Sequence, residues 1–219
     1  YSQLEFRVAG FLAGDETVMS DVQNGTDVHS ITAGIIGCTR QEAKAHTFKP
    51  LYGGTSGTDD QKRYYNAFKT KYAQVAEWQD GMQKHAVMHK YIQLPSGRQY
   101  AFPYARWTEW GTATDRTAIC NYPVQGFATA DLLPMGLVLL DREMRRQEMK
   151  SVICNTVHDS IVLDVYPGEE EKCVDVLSSC MLMINEEAQK RYGVFYDMPI
   201  GIELKIGKNW LDSEVILEV

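Results

Sequence analysis

Residues 151–165 read SVICNTVHDSIVLDV, two apolar runs on either side of a polar tip at His158-Asp159-Ser160. The pattern predicts a hairpin of two strands. Strands this apolar are expected to be buried, which ties the hairpin into a larger body and lifts a carboxylate to its end. An Asp in that position, flanked by His, is costly unless it is paired or holds a cation. A tight turn in which the Asp satisfies backbone amides is the alternative.

The other elements follow from periodicity and caps. QLEFRVAGFLA, residues 3–13, repeats apolar positions at helical spacing after a short YS that ends a strand. Thr39 to Glu42, TRQE, is a capping-box pattern that starts a helix. A long polar helix is expected over about residues 60–90, a hairpin over YIQLPSGRQYAFP, and a second long helix over 123–148 with a break near Pro134. EEEKCVDVLSSCMLMINEEAQKRYG reads as one amphipathic helix stopped by Gly193, and IGIELKIGKNW as a closing strand. No internal repeat or Pro/Ser-rich linker divides the chain, so a subdomain is expected as an insertion in one body.

Arg40, Lys44, Phe48 and Tyr52 recur every four residues. On a helix each such step advances about 40°, so two cations and an aromatic share one wall with a second aromatic at its edge. A solvated stripe over tucked aromatics would have the same pattern. Pro50 is expected to bend or end the helix between Phe48 and Tyr52.

Net charge is −7, which by itself disfavours a nucleic-acid partner. The distribution is uneven: residues 1–150 carry 17 Lys+Arg against 16 Asp+Glu, whereas residues 151–219 carry 5 against 13. The first two-thirds is therefore free to present a basic groove. Five cysteines with no CxxC pair argue against a structural zinc site or a disulfide framework and fit a reducing, cytoplasmic compartment. No apolar run approaches the roughly 20 residues of a membrane span, so no membrane role is expected. A carboxylate at a hairpin tip and a Lys/Arg wall together suit phosphoryl transfer, in which carboxylates hold two metal ions about 3.5–4 Å apart and cations hold phosphates.

These segments, taken in order, resemble the motifs of the family A DNA polymerases. YSQLEFR is similar to the first motif, D-Y-S-Q-x-E-x-R, without its leading Asp. RQEAKAHTFKPLYG resembles R-x3-K-x3-F-x3-Y-G, VHDS resembles V-H-D-E, PVQG at 123–126 matches P-x-Q-G, and DVH at 27–29 matches D-I-H. The resemblance implies an α+β right-hand polymerase: a palm of antiparallel sheet backed by helices over residues 1–27 and 93–219, its third-motif hairpin near 151–165, and an inserted, mostly helical fingers subdomain over 28–92. The thumb would lie outside this chain.

The same resemblance implies the site. Arg40 and Lys44, with His29, would bind the triphosphate of a deoxynucleotide alongside Gln3; Phe48 would pack on its sugar and base; Tyr52 would lie beneath the templating pair. Glu5 would be the gate that fills the space of a ribose 2′-OH. Asp159 and the carbonyl of Tyr1 would ligate two Mg²⁺ ions, and His158, Asn121, Gln125 and Arg116 would contact primer–template DNA. Ser160 stands where the family usually has Glu, and the short segment from Tyr52 to Tyr72 points to a phage-type member. The first-motif Asp would precede Tyr1, so activity is expected only with an N-terminal segment or subunit that supplies it and the thumb. A single-subunit phage-type RNA polymerase fragment and a non-catalytic primer–template-binding fragment are the alternatives. Glu5 and Phe48 favour DNA synthesis over the first.

Overall fold

A computed structural model describes residues 1, 3–209 and 212–218. Ser2 of the first motif and Trp210 of the expected closing strand lie outside the described residues. The chain divides into two compact units, Glu5–Gly126 and Tyr1–Leu4 with Phe127–Val219.

In the first unit, α1 (Leu4–Ala13) buries Phe6 and Val8. Asp15, only 3% exposed, caps α2 (Glu16–Gln23) by accepting from the Thr17 and Val18 amides, and its second oxygen accepts from Val75 N at 3.1 Å. One carboxylate thus ties together two helix N-termini, which explains why it is buried. Asp27 caps α3 (Val28–Ile36), and Gly37 ends it at φ 78°, a left-handed value that favours glycine. The Thr39–Glu42 capping box starts α4 (Arg40–Thr47) as expected. The helix stops before Pro50, and the chain continues as a 3₁₀ turn, Pro50–Tyr52. The four-residue row is therefore not a continuous helix: Arg40 and Lys44 lie on α4, Phe48 caps it, and Tyr52 lies on the turn.

The single helix expected over 60–90 is two, α5 (Asp59–Lys71) and α6 (Ala73–His89). Tertiary bonds break it at Tyr72, whose hydroxyl donates to Asp21 at 2.7 Å while its ring packs edge-on against Phe6 and Phe68. Strands β1 (Tyr91–Gln93) and β2 (Gln99–Ala101) form the expected hairpin. With α6 and α7 (Arg116–Gln125) they enclose a core of Ala86, Ile92, Phe102, Ala105, Ala113 and Ile119. The helix expected from residue 123 therefore begins earlier, at Arg116. At its end a Cβ on Gly126 would collide with the Tyr100 hydroxyl, so the PVQG glycine answers a close approach.

A π-helical turn, Gly126–Leu132, leads from α7 into α8 (Leu133–Arg146), so the helix changes its bonding before Pro134 but is not broken there. Strands β3 (Val152–Val157) and β4 (Ser160–Asp164) form the hairpin, with a bulge between Ile153 and Asn155. Helices α9 (Glu170–Leu182) and α10 (Ile184–Tyr192) replace the one expected, turning at Met183 and ending at Gly193. The chain closes in a hairpin, β5 (Glu203–Gly207) with β6 (Ser213–Glu218), instead of one strand.

Leu140 and Met144 of α8 pack on Val176, Cys180 and Met181 of α9 and on Ile202. Ile153, Ile161 and Leu163 join this core, but Val152 and Val157 are exposed. The third-motif hairpin is thus covered on one face only, less than its apolar sequence led one to expect. Among the described residues the strands form three separate two-stranded antiparallel sheets, and the fold class is α+β.

Candidate active site

The predicted site residues fall in both units. In the first, α3 and α4 assemble a cationic and aromatic face. The imidazole Nδ1 of His29 lies 3.0 Å from the hydroxyl of Thr47, a residue with no exposed surface. That hydroxyl also lies 2.9 Å from the Ala43 carbonyl and 3.1 Å from the Thr32 hydroxyl, whose own proton goes to the Val28 carbonyl at 2.7 Å. Two of the three partners can only accept, so Thr47 spends its one proton on them and accepts from His29 Nδ1–H. This sharing favours the Nδ1–H tautomer, in which Nε2 makes no hydrogen bond among the described residues.

The His29 ring stands edge-on to Phe48, centroids 5.3 Å apart, and Phe48 stacks on Phe6 at 6.4 Å and 25°. Phe48 is thereby held from behind by the core. Burial lowers the His29 pKa below its ordinary value, the charges of Arg40 and Lys44 push the same way, and Asp27 opposes them. Arg40 does not stand free: its Nε donates to Asp27 Oδ2 at 2.6 Å and its second nitrogen to Oδ1 at 3.3 Å. This bond, reinforced by Ser30, holds the Asp27 carboxyl well below the usual range. Both side chains are solvent-accessible, 52% and 36%, so the pair is worth roughly 0–1 kcal/mol and an anion can compete for Arg40. Lys44 is exposed and has no ion-pair partner among the described residues.

Glu5 lies in the first turn of α1 and Tyr52 on the 3₁₀ turn, both half-buried. On α7, Asn121 is half-buried and Gln125 exposed. Arg116 opens that helix with its Nε buried and unbonded, beside Gly53 and Cys120. Burial pushes the Cys120 thiol up to about 12, so it stays protonated.

The second unit carries Tyr1, Gln3, His158 and Asp159. The Tyr1 nitrogen donates to the Asp159 carbonyl at 3.0 Å, which brings the first and third motifs together. His158 and Asp159 form a two-residue turn closed by the Val157–Ser160 pair. His158 sits at φ 54°, as does Gln3 at φ 51°, a region non-glycine residues seldom adopt. Such strain persists only where the surroundings impose it, here the register of β3 with β4. Ser160 turns its hydroxyl to the Val157 carbonyl at 2.8 Å, so it does not replace a second acid.

Among the described residues no group of three or more His, Cys, Asp or Glu side chains gathers. The chain's own donors at the hairpin are one carboxylate and backbone oxygen. These hard oxygens suit Mg²⁺, which is usually bound through one or two carboxylates plus substrate phosphates.

Two participants escaped the sequence reading. Thr47 was one polar residue among many on α4, and only its burial against His29 reveals its part. Asp27 carried a readable signal as the N-cap before V-H-S, but its ion pair with Arg40 needs α3 and α4 side by side.

One unit presents Asp159 on an antiparallel hairpin and the other presents His29, Lys44 and Arg40 on helices; comparison with known proteins gives the family. Residues 1–212 match the family model described as DNA polymerase family A. The chain belongs to that family. It is 27% identical over 235 residues to DNA polymerase I of Lactococcus lactis subsp. lactis, covering 98% of this chain and 26% of that protein. To the thermostable DNA polymerase I of Thermus thermophilus it is 28% identical, covering 98% and 27%. It thus spans about a quarter of the length of these relatives. The POL domain of Pol1 from M. smegmatis, solved in complex with DNA primer-template and dNTP, superposes with a TM-score of 0.72 at 21% identity, over 84% of this chain and 36% of that one.

Proposed function

We propose that the chain is the palm-and-fingers portion of a template-directed DNA polymerase, transferring a deoxynucleotidyl group to a primer 3′-OH, with residues 28–92 as the fingers. The observation that carries the reading is the α3–α4 face: a bonded His29, an exposed Lys44 and a core-backed Phe48, with Arg40 one surface ion pair from release. This face supplies what a deoxynucleoside triphosphate needs, cations for the phosphates and an aromatic plane for the sugar and base.

In this reading Lys44 and Arg40 bind the triphosphate as point charge and fork. His29 Nε2 contacts a phosphate oxygen while Thr47 fixes the ring. Gln3 contacts the nucleotide, and Tyr52 lies under the templating pair. Glu5 excludes a ribose 2′-OH. Asp159, with the Tyr1 carbonyl, would hold two Mg²⁺ ions, which when bound neutralise phosphate charge and activate the primer hydroxyl. His158, Asn121, Gln125 and Arg116 line the path of primer–template DNA. An N-terminal segment with the thumb and a second carboxylate completes the site.

Primer extension with Mg²⁺ and the four deoxynucleotides, by the protein assembled with that segment, tests the reading. Loss of Lys44 as Lys44→Ala should reduce kcat/KM by about 10²–10³, the range for removing one preorganised charge partner, and Asp159→Asn should abolish extension. Full turnover by both variants would refute the proposal.

A further inference from the structure

Residues 103–114 join β2 to α7 and play no part in the site above. Both limbs of this turn are anchored. Ala105 and Ala113 are buried in the core between α6 and the first hairpin. The buried Gln83 accepts from Ala113 N at 3.1 Å, and Lys90 Nζ donates to the Ala105 carbonyl at 2.6 Å. Across the turn Trp107 pairs antiparallel with Ala113, Thr114 N donates to the Arg106 carbonyl at 2.8 Å, and Thr108 N to the Thr112 carbonyl at 2.8 Å. Gly111, at φ 70°, closes the tip by donating to the Thr108 carbonyl at 3.1 Å.

This fixed scaffold displays aromatics outward. Tyr104 is 86% exposed, Trp110 82% and Trp107 47%. Arg106 stands between two of them, exposed and in no ion pair among the described residues. Exposed rings of this size forgo a large apolar burial, and a cluster of them marks an interaction surface. From Pro103 to Asp115 there is no Leu, Ile, Val or Met, so the surface offers flat rings and one guanidinium plane, with the exposed carboxylates of Glu109 and Asp115 on the same turn and no aliphatic socket. Flat rings interleaved with Arg are what single-stranded nucleic acid binds, because every base has a face to stack.

We infer that the 103–114 turn is a stacking platform for unpaired bases of a DNA strand, with Tyr104 and Trp110 as the stacking surfaces, Trp107 as their support and Arg106 as the phosphate contact. The choice of DNA as occupant rests on the polymerase reading; the display of the rings does not. Because the backbone is already held, little ordering is left to oppose binding.

The test is titration of the full chain with oligodeoxythymidylate of about 12 nucleotides, within the site sizes usual for such surfaces, read by tryptophan fluorescence. Stacking should quench emission, and the difference between the parent and Trp110→Phe isolates that ring among the four tryptophans. Tyr104→Ala/Trp110→Ala should bind at least about tenfold more weakly with an unchanged salt slope, since it removes stacked bases and no phosphate contact. Arg106→Ala should do the reverse and reduce the slope by about one. All three targets are surface side chains, and thermal melting checks that the variants fold. Equal affinity of parent and double variant, or equal quenching by blunt duplex, overturns the inference. Absence of oligonucleotide binding with primer–template binding retained overturns it alone and leaves the patch to a protein partner. Failure of the chain assembled with its N-terminal segment to bind either DNA overturns the polymerase reading with it.

Discussion

Thr47→Val is the sharpest perturbation of the proposed nucleotide face, because it removes one oxygen and almost no volume. The side chain has no exposed surface, and its hydroxyl lies 2.9 Å from the Ala43 carbonyl, 3.1 Å from Thr32 and 3.0 Å from His29 Nδ1. Valine leaves no cavity, so the cost is that of bonds alone. One net hydrogen bond is worth about 1 kcal/mol, and an imidazole N–H left without a partner adds part of the roughly 1–3 kcal/mol cost of a fully buried donor. Thr32 loses nothing, since its proton stays on Val28. The sum is about 1–2 kcal/mol, or roughly 2–8 °C in melting temperature for a chain of this size. Ring orientation is lost with the bond, so the KM for deoxynucleotide should rise by about tenfold while affinity for primer–template stays constant. Thr47→Ser keeps the hydroxyl and should keep the KM, at a smaller packing cost. The assays are thermal melting and steady-state primer extension of the three proteins side by side. A Thr47→Val protein within about 0.3 kcal/mol of the parent, with unchanged KM, would refute both the bond count and the role given to His29.

Three further outcomes follow, two of them from the same face. His29 has its pKa lowered by burial and by Arg40 and Lys44; the unfolded chain therefore takes up the proton first. Its contribution to stability is full above about pH 6.5 and is lost as pH falls through the lower folded value, a slope that His29→Gln should remove from the melting profile. A bound triphosphate reverses that bias, so nucleotide binding just below pH 6.5 should take up a proton, and a binding enthalpy independent of buffer ionisation would count against it. Glu5→Ala should raise incorporation of ribonucleotides relative to deoxynucleotides in competition assays; equal loss for both would remove Glu5 from the gate.

Where local chemistry decides the structure, the sequence was readable. The Thr39–Glu42 box, the stop before Pro50, the His158-Asp159 turn and the glycine end at Gly193 each follow from one or two residues and their neighbours. Readings failed where distant contacts outweighed local preference. Nothing in DDQKRYYNAFKTKYAQVAEW marks Tyr72 as a break; the break exists because Asp21 and Asp15, some fifty to sixty residues earlier, bind its hydroxyl and the start of α6. The same limit applies at the site. The row Arg40, Lys44, Phe48 is visible in the sequence, but the sequence lists Arg40 as a free cation, whereas the folded chain gives it to Asp27.

That pairing changes what the face does. A wall of free cations would repel itself and attract any anion, while a wall with Arg40 held at the N-cap of α3 keeps the helix and its charge in register until a stronger partner arrives. An incoming triphosphate carries more charge than one carboxylate and offers the guanidinium the same planar fork. Exchange of Asp27 for phosphate exposes the Asp27 carboxylate beside His29, and a bare carboxylate there raises the imidazole's proton affinity. If the face binds a triphosphate as proposed, Arg40 release and His29 protonation would favour the same ligand, and the ion pair that holds Arg40 in the free chain would sharpen the response to it.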